Sequence, residues 1–363
     1  MTTPLAGRSV ALVHEWFGDT GGSEQVFRRI ADLVPHAQRF VLWSDPGVTD
    51  QGLRESWLAR TPLRRSKTLA LPLMPLVWQT LSREHFDVVL SSSHAFAHTV
   101  RLGAPGRTRH LSYVHSPARY VWSPDYDGRG SGRLLALPRR ALQTVDVRLS
   151  RHVASYAANS REVRDRIRRF WHRDAVVIHP PVDVDYFATA QPDDPVAQRD
   201  YLLGVGRWIP YKNFDLIISI AAAARMPVVV AGSGPQEANL RRHADRVGAE
   251  VTFEVRPDRA RLRQLYRGAR ALLFPVHEDF GIIPVEAQAC GTPVLGLRRG
   301  GLLETVVDGA TGHLVDSTRA DDYVPLLRRL DQLDAAGIQA HAKSFAAAEF
   351  AAKLADWIEA ECR

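Results

Sequence analysis

The second half of the chain alternates short apolar runs with longer amphipathic stretches. The apolar runs are typical of strands buried on both faces and lie at 201–206, 227–232, 251–255, 271–276 and 292–297. The stretches between them have helical spacing and lie at 213–224, 236–248, 260–270 and from Pro284 onward. This alternation predicts a parallel sheet with helices on both faces, which is a doubly wound α/β domain.

The first half begins with the same rhythm. A helix is predicted at 23–34, and strands are predicted at 9–16, 39–44, 86–93 and 109–116. The segments 50–82 and 117–140 show no regular pattern, and two adjacent prolines within 175–187 indicate an interdomain hinge. We therefore predict two Rossmann-like α/β domains and a C-terminal helix that packs back on the first domain, with bounds 1–182, 183–345 and 346–363.

Length and composition agree with two globular domains. The 363 residues exceed what one core usually organises, and 45% of them are apolar. The two cysteines, Cys290 and Cys362, have neither metal-site spacing nor a disulfide framework. The first residues lack a secretory pattern, and the longest near-apolar stretch, 68–78, is too short to span a bilayer. We expect a cytoplasmic protein.

The charge of the chain predicts an anionic partner. The net charge is +7 and the isoelectric point is near 9.7. The sequence carries no recognisable nucleic-acid motif, so a nucleotide diphosphate or an anionic membrane explains the positive charge better than a nucleic acid does. The alternative is that the charge only reflects an arginine-rich proteome. The stretch 59–78 mixes Arg64, Arg65 and Lys67 with apolar residues. It predicts either an interfacial membrane patch or a core-packed insertion with a basic rim.

Polar stretches follow several predicted strands, where ligands bind in open α/β sheets. In GDTGGS, Gly21 and Gly22 let a ligand approach the backbone at the start of a helix, although an ordinary strand–helix turn fits equally well. In GRWIPYKN, Arg207 and Lys212 flank a tight turn. They suit a diphosphate, unless both are solvated surface cations.

The stretch HEDFGIIPVE carries two glutamates separated by a glycine and a proline. Because proline favours the first helical position, we predict a loop at 278–282 and a helix from Pro284, with Glu286 in its first turn. The amides of 281–283 would then face a ligand, Glu278 would accept from sugar hydroxyls, and Glu286 would accept from a ribose. The alternative is a helix whose macrodipole merely favours acids in its first turn.

Four further polar positions are candidates for contact with a substrate. In YVHSPARYVW, His115 is placed to touch a substrate and Arg119 to hold an anionic group. We predict acceptor contacts from Asp19, His94 and Arg119. A lone histidine is more often structural, and this reading stays open for His14, His94 and His115.

Together these stretches resemble the retaining glycosyltransferases of family 4, which have the GT-B fold. The resemblance covers nearly the whole chain and is strongest at 201–315. Its most specific part is a pair of glutamates with seven residues between them, here Glu278 and Glu286 within HEDFGIIPVEAQACGTPVLGLRRGGLLETVVDGATGHLV. VDVDYF, VGRWIPYKN, AGSGP and the glycine loop at 21–24 also match. It implies two Rossmann-like domains with parallel sheets facing across a cleft, the first binding an acceptor and the second a nucleotide sugar.

The resemblance also implies roles for the donor-binding residues. Arg207 and Lys212 would bind the donor diphosphate, and Glu286 would bind its ribose. The loop of Gly21 and Gly22 would bring the backbone close to the phosphate. These contacts define the predicted nucleotide-diphosphate site.

The transferred sugar has its own implied contacts. Glu278 would bind it together with the amides of Phe280, Gly281 and Ile282, and His115 would lie near the anomeric carbon. The implied catalytic set is therefore His115, Arg207, Lys212 and Glu278.

YVHSPARYVW is also similar to the subset that uses GDP-mannose in bacterial polysaccharide assembly. That subset often has an acid directly after the tryptophan, where this chain has Ser123, with Asp125 two positions further on. The resemblance implies transfer of a hexose, first of all mannose from GDP-mannose, with retention of configuration. The acceptor would be a lipid-linked or polysaccharide-precursor glycan at the inner face of the cell membrane.

No DxD-like metal pair accompanies the cations, so we expect catalysis without a metal or another cofactor. The leaving phosphate would help to take the acceptor proton during front-face attack. Three alternatives remain open. They are a glycosyltransferase that uses a UDP-sugar or another nucleotide sugar on a small acceptor, an epimerase or phosphorylase on the same fold, and a non-catalytic nucleotide-sugar sensor or DNA-binding protein.

Overall fold

The protein divides into two compact units. A computed structural model describes residues 5–18, 21–48, 52–103, 106–123, 136–192, 194 and 199–363. The first unit comprises the described residues up to Pro181 together with Ala348–Arg363, and the second comprises those within Val182–Ala347. The end of the chain is therefore part of the first unit.

The first unit contains a seven-stranded sheet in the order β3-β2-β1-β4-β5-β6-β7, with every neighbouring pair parallel. The strands are β1 Val10–Phe17, β2 Gln38–Ser44, β3 Leu53–Glu55, β4 Val88–Ser93, β5 Arg109–Val114, β6 Ser155–Ala158 and β7 Val176–Val177. The helices of this unit are α1 Gly22–Leu33, α2 Lys67–Ala70, α3 Met74–Gln79, α4 Arg119–Trp122, α5 Ala136–Ser150, α6 Arg161–Trp171 and, from the end of the chain, α15 Ala347–Cys362.

The central strands are buried because helices cover both faces of the sheet. All eight residues of β1 are buried, which explains why its sequence is almost continuously apolar. The helix α15 places Phe350, Leu354 and Trp357 in the core that includes residues of β1, β4 and β5. Its Trp357 indole also donates to Ser155 Oγ at 3.1 Å, so α15 is an integral layer of this unit.

The second unit contains a six-stranded parallel sheet in the order β10-β9-β8-β11-β12-β13. Its strands are β8 Tyr201–Arg207, β9 Val228–Ser233, β10 Val251–Val255, β11 Ala269–Phe274, β12 Val294–Leu297 and β13 Gly312–Val315. Its helices are α7 Val184–Ala188, α8 Phe214–Ala224, α9 Glu237–Val247, α10 Arg259–Gly268, α11 Ile282–Ala289, α12 Leu302–Thr305, α13 Val324–Leu327 and α14 Ala335–Ala342. The prediction of two Rossmann-like α/β units is confirmed.

The start of α11 differs from the prediction. The helix begins at Ile282 rather than at Pro284, so Pro284 is its third residue and Glu286 lies in the second turn instead of the first. Proline costs little at this position, because the first amides of a helix have no partner inside it. Gly281 precedes the helix with φ +88°, which a glycine adopts without strain.

The segment between β3 and β4 is also more regular than predicted. Short helices replace the irregular stretch expected at 50–82, namely the 3-10 turns Trp57–Arg60, Pro62–Arg65 and Leu71–Leu73 together with α2 and α3. Leu58, Met74 and Trp78 are fully buried, so most of the segment is a core-packed insertion. Among the residues that the structure describes, no helix is both long and apolar enough to cross a bilayer.

Candidate functional site

In the second unit, Lys212 is a buried cation at the carboxyl end of the central strand β8. It ends the 3-10 turn Pro210–Lys212, is 7% exposed, and forms an ion pair with the carboxylate of Glu278. A charge removed from water needs such a partner. The reading of a solvated surface cation is therefore wrong for Lys212.

The turn that carries Lys212 is fixed from the side of α8. Asn213 adopts a left-handed conformation with φ +51° and donates from its side-chain amide to Pro275 O at 2.8 Å. This bond links the β8–α8 loop to the segment after β11. Arg207, the last residue of β8, is exposed at the same edge of the sheet, where a ligand can reach it.

The loop that carries Glu278 is held by backbone contacts with two glycines. Gly301 donates its amide to Glu278 O at 2.8 Å, and a Cβ on Gly301 would lie only 2.2 Å from Phe280 Cα. A Cβ on Gly300 would lie 2.2 Å from Glu278 O. The close packing sets the start of α11, where the amides of 282–283 belong to the unpaired first turn and the helix dipole favours an anion.

Glu286 lies deeper in the same helix and is half-buried. Its Oε2 accepts a hydrogen bond from the hydroxyl of Tyr266 on α10 at 2.9 Å. Burial raises the pKa of Glu286 to about 7, against the lowering effects of Tyr266 and Arg259. Near neutral pH this carboxyl group is thus poised between its two protonation states.

In the first unit, Glu15 is a fully buried acid at the carboxyl end of β1. Its Oε1 accepts from the amides of Ala95 and Ala97 at 2.8 and 2.9 Å, and His94 Nδ1 lies 3.0 Å from Oε2. Burial opposes its ionisation, yet His94 and the amides outweigh burial, so the pKa of Glu15 lies well below its usual range. The carboxylate fixes the loop that follows β4.

Three histidines gather at this edge of the first sheet. The ring centroids of His14, His94 and His115 lie 5.3, 6.2 and 6.3 Å apart. His14 Nδ1 donates to Ser92 O at 3.0 Å, and Ser92 Oγ lies 2.8 Å from His115 Nε2. Burial, followed by the charge of His94, lowers the pKa of His14 to about 4, so His14 is neutral at pH 7. The structure thus brings together the predicted substrate contacts His94 and His115.

The same edge contains a grouping with the chemistry of metal ligands. Within the described residues, one ligand atom each from His14, Glu15 and His94 lie within 4.8 Å of one another. Both oxygens of Glu15 already accept hydrogen bonds from the loop at 93–97. This role in holding the loop explains the cluster, and metal-free catalysis stays a prediction.

The other predicted residues of the first unit lie around the same sheet. Gly21 precedes α1, and the Glu24 carboxylate lies against it, because a Cβ on Gly21 would meet Glu24 Oε2 at 1.8 Å. Gly22 is the first residue of α1, and Arg119, half-buried, is the first residue of α4. Asp19 and Asp125 lie outside the described residues.

Two residues of these sites, Glu15 and Tyr266, were not predicted from the sequence. Glu15 is a charged residue inside an otherwise apolar buried strand, a pattern that marks a paired acid. Tyr266 shows nothing unusual in sequence, since one tyrosine on an amphipathic helix is ordinary core. Its contact with Glu286 is visible only in three dimensions.

Two family models match successive parts of the chain. The model for glycosyltransferase family 4 matches residues 20–186, and the model for glycosyl transferases group 1 matches residues 190–359. A D-inositol 3-phosphate glycosyltransferase from Nocardiopsis dassonvillei is 30% identical over an alignment 370 residues long, and the alignment covers 86% of this chain and 82% of that protein. The protein of the same name from Mycolicibacterium paratuberculosis is 39% identical over 197 residues, covering 48% of this chain and 43% of the relative.

Solved structures with the same fold cover almost the whole chain. Anabaena HepE in complex with UDP has a TM-score of 0.71 at 18% identity and covers 97% of this chain and 100% of its own. WaaG, a glycosyltransferase involved in lipopolysaccharide biosynthesis, has a TM-score of 0.67 at 17% identity, covering 96% and 99%. At these identities the likeness concerns the fold alone.

Proposed function

This chain belongs to the family 4 glycosyltransferases with the GT-B fold, and from that premise we propose that it is a retaining hexosyltransferase acting on a nucleotide-diphosphate sugar. The observation that carries the proposal is the buried Lys212–Glu278 pair at the carboxyl end of β8. A cation kept there suits the charge of a diphosphate, and Glu278 suits the hydroxyls of a sugar.

The second unit supplies the donor contacts in this proposal. Arg207 binds the diphosphate from the exposed end of β8, and Lys212 binds it from the adjoining turn. The positive end of α11 adds amides of 280–282, and Glu286 accepts from the ribose. These groups favour the state in which the leaving diphosphate gains negative charge.

The reaction breaks the bond between the anomeric carbon and the diphosphate oxygen, which keeps the electron pair. The acceptor hydroxyl forms the new bond on the same face of the sugar, and its proton passes to the departing phosphate. Configuration is therefore retained. Cations and helix amides stabilise the leaving group, so the proposed reaction uses neither metal nor cofactor.

The first unit supplies the acceptor contacts and also His115, which lies near the anomeric carbon of the transferred sugar. His94 and His115 lie at one sheet edge, on a loop and strand end that Glu15 and Ser92 hold in place. Such fixed histidines suit contact with sugar hydroxyls. Arg119, at the start of α4, is the proposed contact for an anionic acceptor group, with Asp19 as a further acceptor contact.

The first candidate reaction is transfer of mannose from GDP-mannose to a lipid-linked or polysaccharide-precursor glycan, as the YVHSPARYVW motif suggests. The second is transfer from a UDP-sugar or another nucleotide sugar to a small phosphorylated acceptor. The second candidate draws on the relative named D-inositol 3-phosphate glycosyltransferase and on the fold neighbours solved with UDP and UDP-glucose.

A lipid-linked acceptor fits a membrane-facing patch on the insertion between β3 and β4. Leu69 and Leu76 are 65% and 55% exposed there, and Arg65 and Lys67 are exposed beside them. Apolar side chains among cations favour an anionic bilayer surface. We therefore propose peripheral contact with the inner face of the cell membrane.

A ligand panel tests the donor assignment. Thermal unfolding is measured with GDP, UDP, GDP-mannose and UDP-glucose, because a ligand that binds the native state raises the unfolding temperature. We expect stabilisation by one nucleotide series. Protein that is stabilised by no nucleotide diphosphate or nucleotide sugar would falsify the proposal.

Product analysis separates the reaction classes. A glycosyltransferase joins the sugar to the acceptor and releases the nucleotide diphosphate, and NMR of the product shows the retained anomeric configuration. An epimerase changes the sugar with no acceptor present, and a phosphorylase requires inorganic phosphate. Steep salt-dependent binding to duplex DNA without any transfer would support a DNA-binding protein instead.

A further inference from the structure

One oxygen of the Glu286 carboxylate accepts a hydrogen bond from a residue of α10. The hydroxyl of Tyr266 donates to Glu286 Oε2 at 2.9 Å, and the whole side chain of Tyr266 is buried. Burial, followed by the charge of Glu286, raises the pKa of the Tyr266 phenol well above its usual value. The hydroxyl therefore keeps its proton and can donate it to the carboxylate throughout the physiological pH range.

We propose that Tyr266 is a positioning residue that orients Glu286, favours its ionised form and leaves the Oε1 atom to accept from the ribose hydroxyls of the donor. The inference rests on the proposed function, because it takes Glu286 as the ribose contact. A ribose offers two O–H donors, and an ionised carboxylate offers acceptors only. A protonated Glu286 would instead present a competing O–H group.

The balance of interactions at Glu286 shows why one hydroxyl matters. Burial raises the pKa of this carboxyl group to about 7. Tyr266 is the largest of the opposing influences, ahead of the Arg259 charge, while Asp183 acts in the same direction as burial. Removal of the Tyr266 hydroxyl therefore moves the protonation of Glu286 to higher pH.

Other titratable groups lie on α11 or on the elements packed around it. Cys290 directly follows the helix, and burial raises the pKa of its thiol to about 12, so it stays neutral. His341 lies on α14, and burial lowers the pKa of its ring. Charged groups on the neighbouring elements include Asp185 on α7, Glu304 on α12 and, near Cys290, the buried ion-pair group of Asp194, Arg263 and Arg267.

The test compares nucleotide binding by calorimetry between pH 6 and pH 9. The two probes are GDP and 2′,3′-dideoxy-GDP, which carries the same titrating phosphate but lacks both ribose hydroxyls. For the unmodified protein we expect GDP affinity to fall about tenfold per pH unit below about pH 7. The part of this decrease that is due to Glu286, here called the limb, should be missing for the dideoxy probe.

The variant Tyr266→Phe should shift the midpoint of this limb upward by about one pH unit or more. GDP affinity at pH 7 would then be about fivefold weaker or more, while at pH 9 it would stay within about threefold of the unmodified protein. The matched control is Tyr201→Phe. It also removes a tyrosine hydroxyl bonded to α10, which donates to Leu265 O at 2.7 Å, but it should leave the midpoint unchanged.

Each outcome bears on a distinct claim. If GDP binds and Tyr266→Phe keeps the original midpoint, the positioning role is overturned while the proposed function stands. If Tyr266→Phe does not fold, Glu286→Gln decides, since it should bind GDP without the limb, and persistence of the limb overturns the role. If neither GDP nor UDP binds the unmodified protein at any pH, the proposed function fails and the inference fails with it.

Discussion

The ammonium of Lys212 and the carboxylate of Glu278 form an ion pair within the second unit, although 66 residues separate them in the chain. Lys212 comes from the turn after β8, and Glu278 from the loop after β11. These two strands are neighbours in the sheet, so the pairing follows from strand order rather than from sequence proximity. The pair joins the two motifs that the sequence singles out separately.

Loss of the Lys212 charge should abolish most of the activity. We expect Lys212→Ala to lower turnover with a nucleotide sugar by about 100-fold or more, because the leaving diphosphate loses a buried cation. Lys343→Ala, an exposed lysine of the same unit, serves as the control and should stay within about threefold. Steady-state transfer assays give the comparison, and near-normal turnover of Lys212→Ala contradicts the assigned role.

The same pair predicts a coupled effect on stability. Lys212→Ala leaves the Glu278 carboxylate without its partner, which should lower the unfolding free energy by about 1–3 kcal/mol. Adding Glu278→Gln should recover part of this loss, because the neutral amide costs less to keep out of water. Urea unfolding of both single variants and the double variant measures the coupling. Simple additivity of the two changes would show that the pair is energetically unimportant.

Glu286 should make stability depend on pH in a direction opposite to that of most acids. Its pKa of about 7 in the folded protein exceeds the ordinary 4.5, so its stabilising contribution is complete below about pH 4.5 and is lost as the pH rises to 7. Glu286→Gln removes this loss. Relative to the unmodified protein, the variant should gain up to about 3 kcal/mol between pH 4.5 and 8.

Urea unfolding at several pH values checks this expectation. Glu250→Gln changes an exposed acid of the same unit and should give the same pH profile as the unmodified protein. A Glu286→Gln profile that is parallel to the profile of the unmodified protein would rule out a raised pKa for Glu286.

Glu15 should have the reverse dependence. Because its pKa is held far below the usual range, its contribution to stability is present above about pH 4.5 and is lost on acidification. Glu15→Gln replaces an acceptor-only carboxylate with an amide whose NH2 group would face the N–H donors of the loop, and it should cost about 3 kcal/mol of unfolding free energy at pH 7. Glu361→Gln, which breaks the more exposed pair with Arg109, is the control and should cost less than about 1 kcal/mol. Equal effects of the two variants would contradict the role of Glu15.

The exposed face of the insertion predicts which cations contact a membrane. Arg65→Ala combined with Lys67→Ala should lower binding to phosphatidylserine-containing liposomes about tenfold or more, as measured by co-sedimentation at low salt. Arg64 already donates to Ser44 O at 2.8 Å, so its replacement should affect stability more than binding. A double change at Arg328 and Arg329 removes the same charge elsewhere. If that double change weakens binding equally, only net charge is involved.

The alternation of apolar runs was sufficient to predict the strands of the second unit except β13. β8, β9, β11 and β12 are continuous apolar segments bounded by glycine, proline or polar residues, and the structure places each strand within about two residues of the expected range. The strands that were not predicted are β3, β6, β7 and β13, because each has at most four residues and carries too little periodicity. Helix boundaries that depend on local packing, such as the start of α11 beside Gly301, also could not be predicted from the sequence.

The residues of the candidate site also divide into those that the sequence predicts and those that it does not. Lys212, Glu278 and Glu286 stand in motifs whose residue types and spacing suggest chemistry. Tyr266 and Ser92 act through contacts made by separate elements, and ordinary helix and strand patterns conceal them. The charge on Glu15 was visible in the sequence, but its target, the loop after β4, depends on how β1 and β4 pair.

The position of α15 has a consequence for how the protein is made. Its side chains Phe350, Leu354, Trp357 and Ile358 complete the core of the first unit, yet they leave the ribosome only after the second unit. The first unit therefore cannot bury that face of its sheet until the whole second unit has been translated. A fragment that ends near Pro181 would expose the same surface and depend on a chaperone, or on the missing helix added as a peptide, to stay in solution.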